Sequence, residues 1–126
     1  MREIILLDNG SRRPQSTLAL RELAGRLTGR LRQPVQPVSL AHSDLISADK
    51  LAGQPATILE PWLVDRLHHG ARRFLIIPLF FGPSGALTEA IPALEARLRG
   101  DLGPLDIRLA APLCPLPQGE PRLTAI

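Results

Sequence analysis

Cysteine occurs once in the 126 residues, at Cys114, which excludes an intramolecular disulfide and a cysteine-cluster zinc site. Aromatic residues are nearly as scarce: one tryptophan, three phenylalanines and no tyrosine. Lysine appears only as Lys50. A platform for single-stranded nucleic acid combines basic residues with stacking rings, and this chain has few rings to offer. Its net charge of +3 rests on arginines spread along the chain, mostly on presumed helix faces, which reads as solvated surface. No nucleic-acid partner is expected. No apolar run approaches the ~20 residues of a membrane span. The longest, Phe74 to Phe81, contains Pro78 and is bounded by Arg73 and Gly82. Arg2 and Glu3 lead straight into an apolar segment without a signal-peptide pattern. The expectation is a cytoplasmic protein that neither spans nor needs a membrane.

What remains is an ordinary globular composition, 44% hydrophobic and 21% charged. A chain of this length suits one domain over residues 1–126, with a core that needs no staples. Four apolar segments read as strands: Glu3 to Leu7, Pro34 to Leu40, Phe74 to Leu79 and Leu105 to Ala110. Between them lie helical patterns. Leu20, Leu23, Leu27 and Leu31 mark one apolar face, and Leu59, Trp62, Leu63 and Leu67 a second, with Gly70 at its C-cap. Leu87, Ile91, Leu94 and Leu98 mark a third, followed by Gly100, with Pro92 in the first turn or at a distortion. Strand alternating with helix predicts an α/β fold, three-layer αβα, around a four-stranded parallel sheet. "FLIIPLFF" has the continuous apolar character of a central strand. His42 to Gln54 reads as an irregular insertion with one short helix, and the proline-rich tail "PLCPLPQGEPRLTAI" as no regular element.

In open parallel sheets ligands bind beyond the carboxyl ends of the strands. There this chain places its less ordinary residues: Asn9, Ser11, His42, Ser84 and Cys114. The turn Asp8-Asn9-Gly10-Ser11 precedes a helix whose N-terminus favours an anion, and Arg12 and Arg13 follow. Gly10 permits close backbone approach. Ser11 taken alone reads as an N-cap. Gly82 to Ala86 forms a second glycine-containing loop before a helix but lacks the ending of a P-loop. His42 is a metal ligand, a general base or a plain loop residue. His68 and His69 end a helix antiparallel to the strands and fall at the opposite edge. Cys114 is an apolar filler or a soft metal ligand.

These stretches resemble a known family. "ILLDNGSRRP" is similar to the opening "LLVGHGSRDP" of the class II metallochelatases of the CbiX/SirB kind. "EPWLVDRLHHGARRFLIIPLFFGPSGALTEAIP" resembles that family's "EPSL…ALxxxGARRVVVVPLFLxPGxHxxxDIP", and "APLCPLP" its closing "APPLG". The resemblance implies a flavodoxin-like chelatase half-domain that forms a homodimer. It also implies insertion of Co²⁺, Fe²⁺ or Ni²⁺, as substrate, into sirohydrochlorin, on routes to cobalamin and sirohaem. No permanently bound cofactor is implied. Asn9, Gly10, Ser11, Arg12, Ser84 and Gly85 would bind the tetrapyrrole. The family's two motif histidines correspond to Asn9 and Ala86, and its "DIP" aspartate to Ala90. His42 would then hold the metal, with Glu89 as the second catalytic group. Three functions stay open: a chelatase with altered ligands, a non-catalytic tetrapyrrole-binding or partner-subunit homologue, and an unrelated binding module for a phosphorylated or carboxylated metabolite.

Overall fold

The structure, a computed structural model, describes residues 2–79 and 89–110. Strand β1 (Arg2–Asp8) leads through helix α1 (Pro14–Leu31) to β2 (Val35–Ser39). Two single 3₁₀ turns, Ser43–Leu45 and Ala48–Leu51, follow where the sequence suggested one short helix. Then come α2 (Leu59–His68), β3 (Arg73–Pro78), α3 (Ile91–Leu102) and β4 (Asp106–Leu109). All pairings are parallel, in the order β2-β1-β3-β4. The α/β expectation holds: a parallel four-stranded sheet with helices on both faces.

Alternation along the strands sorts the core into two layers. Ile4, Leu6, Val35 and Ile77 face α1, meeting Leu20, Ala24 and Leu27. Ile5, Leu7, Val38, Phe74 and Ile76 face α2 and α3, meeting Leu59, Leu63, Leu67, Leu94 and Leu98. The central strands are β1 and β3, and both are nearly continuous apolar runs because both faces are covered. Pro37 sits in β2, an edge strand, where a missing N–H is tolerated.

Two helix readings need correction. The buried stripe of α1 is Thr17, Leu20, Ala24 and Leu27, whereas Leu31 is 44% exposed. Small residues complete the 3.6-residue period, and the leucine count alone overran it. In α3, Gly100 lies inside the helix, which continues to Leu102 and stops at Gly103, φ +95°. An exposed helical glycine costs about 1 kcal/mol relative to alanine, which is too little to end a helix anchored by Leu94 and Leu98. Helix α2 ends as predicted. Ala71 N–H bonds the Arg66 carbonyl at 3.0 Å and Gly70 N–H that of Leu67 at 3.0 Å, the paired bonds of a Schellman motif. Pro92 lies in the first turn of α3, directly after a π-turn at residues 89–90, so both alternatives for it are met.

Candidate functional site

The strand order changes direction between β1 and β3, so the crevice of a doubly wound sheet lies beyond their carboxyl ends. On the β1 side the backbone is tied to the loop after β2. Leu40 N–H donates to the Asp8 carbonyl at 2.9 Å, and Ala41 N–H to that of Asn9 at 3.2 Å. These two bonds join the turn after β1 to the loop after β2 beyond the last ladder pair, Asp8 with Ser39. Gly10 sits at φ +89°, and a Cβ there would lie 1.8 Å from the Ala41 carbonyl oxygen. The close approach inferred for Gly10 is therefore to the neighbouring loop.

The same carbonyl of Ala41 accepts the Ser43 N–H at 3.0 Å. That bond closes a three-residue γ-turn around His42, whose φ and ψ are +76° and −36°. A γ-turn of positive φ is uncommon and strained. The turn holds the His42 side chain out in solvent at the carboxyl edge and carries Ser43 into the interior. The buried Ser43 Oγ has no hydrogen-bond partner among the described residues.

Asp8 closes β1. Its Oδ1 accepts the Ser39 hydroxyl at 2.7 Å. Burial pushes its carboxyl pKa up, opposed by the Ser39 hydroxyl and the Gly10 backbone N–H. Neither Asp8 nor Ser39 was among the residues singled out from the sequence. The signal was there, an aspartate ending one apolar strand and a serine ending the next. Reading it needs the register that sets Asp8 opposite Ser39.

Ser11 is not the N-cap of α1. Arg13 is, without a side-chain cap, and Pro14 begins the helix. Ser11 Oγ accepts the Arg13 N–H at 3.0 Å, two residues ahead of it, and so braces the turn before the helix. Asn9, Arg12 and Arg13 are exposed, and the first turn of α1 carries no acidic residue. Glu89 is exposed in the π-turn that precedes α3. Ser84, Gly85, Ala86, Leu87 and Cys114 lie outside the described residues. His69 stands with Glu3 and Arg73 at the amino ends of the strands, opposite the candidate edge as expected. Among the described residues, no three histidine, cysteine, aspartate or glutamate side chains gather as a metal site. A metal met by His42 would take its remaining ligands from elsewhere. No described helix is long and apolar enough to cross a membrane.

The model of the CbiX family matches residues 3–119. Among solved structures, the chain is similar to one from Marinobacter aquaeolei VT8 bearing the name of a cobalamin (vitamin B12) biosynthesis CbiX protein. The two share 25% identity at a TM-score of 0.65, over 99% of this chain and 87% of that one. The curated proteins contain no match. Family match, sheet order and the polar turn after β1 lead to one statement: the chain belongs to the CbiX family and is a relative of the chelatases of cobalamin and sirohaem type.

Proposed function

We propose that this chain binds sirohydrochlorin, or a similarly carboxylated tetrapyrrole, at the carboxyl edge of its sheet and inserts a divalent metal using replacement ligands. Co²⁺ is the first choice of metal substrate, with Fe²⁺ and Ni²⁺ after it. The observation that carries this reading is the backbone tie through Asp8, Asn9 and Gly10 to Leu40 and Ala41. It holds the polar turn after β1 and the His42 loop as one rigid edge in a chain of a chelatase-related family. Arg12, Ser11 and the start of α1 would meet the carboxylates of the macrocycle, together with Asn9, Gly10, Ser84 and Gly85. Insertion of a divalent ion releases two pyrrole protons, so it needs a metal-presenting group and a base. His42 is proposed for the metal, and Glu89 for the protons. The reading includes a cytoplasmic homodimer, because one sheet edge supplies one wall of a cleft.

A second reading has its own support. Asn9 stands where the resemblance places a histidine, and imidazole is the better ligand for Co²⁺. No three-ligand group forms among the described residues. A homologue that binds the tetrapyrrole without inserting metal fits those two facts.

One experiment separates the readings: the absorbance of sirohydrochlorin with Co²⁺, with and without the protein. A rate above the uncatalysed one, reduced in His42→Ala and Glu89→Gln, supports insertion. A protein-dependent shift of the macrocycle spectrum with no added rate supports binding alone. No change of either kind removes both readings. Co²⁺ affinity unaltered by His42→Ala would withdraw that residue from the metal role.

A further inference from the structure

The amino ends of β1 and β2 hold a feature that metal insertion does not use. A cavity of about 520 Å³ opens there, and its lining includes Arg2, Glu3, Ile4, Arg32, Trp62 and Arg66. β1 is seven residues long, which puts this cavity roughly 20 Å from the turn at Asn9. Three guanidinium groups face one carboxylate. Glu3 is already engaged, since Arg66 donates to its two oxygens from Nε at 2.9 Å and from Nη2 at 3.0 Å. Arg2 and Arg32 make no ion pair among the described residues. Among the described residues the wall therefore carries two positive charges without a carboxylate partner. Arg2 Nε is also buried and has no hydrogen-bond partner among the described residues. A buried donor without an acceptor is costly, and in native proteins such a group calls for an explanation, an ordered water or ion among them. Ile4 and Trp62 give the same cavity an apolar, partly aromatic side.

We propose that this cavity is a second ligand site for an organic anion, one that sets a carboxylate or phosphate head between Arg2 and Arg32 and an aromatic or otherwise apolar body against Trp62. Guanidinium groups match either head by paired hydrogen bonds. Ligand here reaches the sheet at the end remote from Asn9 and His42, so the inference does not depend on tetrapyrrole chemistry.

Trp62 is the only tryptophan of the chain, so its indole N–H gives a single, self-assigning amide-type resonance in the ¹⁵N-labelled full chain. We would titrate that signal with 2-naphthoate and with the neutral isostere 2-naphthamide. The expected result is a saturable shift with the acid and a Kd at least about fivefold weaker for the amide. Arg32→Gly and Arg2→Gln should each weaken 2-naphthoate by about fivefold. Arg32 lies in the left-handed region at φ +55°, where glycine is at ease, so its variant tests the charge without endangering the fold. No shift at all, equal affinity for acid and amide, or a Kd unchanged in Arg32→Gly would overturn the proposal.

Discussion

Gly10 and Asp8 show how much one residue decides at the carboxyl edge. A methyl group on Gly10 would meet the Ala41 carbonyl oxygen at 1.8 Å, and φ is +89°. Gly53 has a similar φ, +81°, with open space around it. Gly53→Ala should cost about 1 kcal/mol, the penalty of the left-handed backbone. Gly10→Ala should cost about 3 kcal/mol, because the two loops must also part. Urea unfolding of both variants checks the difference. Equal losses would mean that the Ala41 carbonyl gives way to a methyl group at position 10 without cost. Asp8 makes a prediction about pH. Its folded-state pKa is raised above the ordinary 3.8 by burial, so the folded state holds this proton more tightly than the unfolded chain does. The resulting stability is present below that ordinary value and is lost as pH rises through the folded pKa. Stability of the wild type should therefore decline relative to Asp8→Asn as pH rises from about 4 towards neutrality. Parallel unfolding midpoints over that interval would show that burial does not govern Asp8. Neither residue's role could be read from sequence, because both arise from a neighbour some thirty positions away, Ala41 in one case and Ser39 in the other.

The elements are joined by side chains that satisfy strand ends. Thr28 Oγ1 donates to the Ala24 carbonyl at 2.9 Å and accepts the Val35 N–H at 2.9 Å, joining the end of α1 to the start of β2. Glu95 reaches from α3 to accept the Ile107 N–H at 2.9 Å on β4. β4 is an edge strand, so that N–H would otherwise be open to another chain. Glu95→Ala should cost about 1 kcal/mol and raise the exchange rate of the Ile107 amide while leaving β1 protected. Unchanged exchange at Ile107 would show that the carboxylate does not guard the edge. At this scale the sequence was a good guide to which segments are strands and helices, since period and capping are local properties. It misjudged a face at Leu31, which ends α1 exposed, and an end at Gly100, where packing outweighed a single residue's preference.

Among the described residues the sheet has two blunted edges, one carrying Pro37 and one with its Ile107 N–H taken by Glu95. Sheet extension is thus an unfavourable route to assembly, and the homodimer proposed above would form through the carboxyl edge or the helices. Sedimentation should give twice the 13.7 kDa chain mass. A monomer at all concentrations would leave the proposed cleft without its second wall. Arginines also stand at both ends of the sheet. Arg12 and Arg13 stand at the carboxyl edge, and Arg2, Arg32 and Arg66 at the amino edge. Composition registers only their sum.

Hydrophobic period and turn chemistry in the sequence by themselves determined the αβα layering, the parallel sheet and the edge on which polar turns collect. The stretches around Asn9 and Pro78 pointed to the CbiX family. Those features depend on residues within a few positions of one another, where backbone geometry fixes the outcome. The tertiary structure alone decided that Gly10 serves Ala41, that Asp8 is buried beside Ser39, and that His42 is presented by a strained turn. It alone gathered Arg2, Arg32 and Arg66 around one cavity. Each of these is a contact between segments distant in the chain, set by the register of parallel strands, and no local pattern encodes that register.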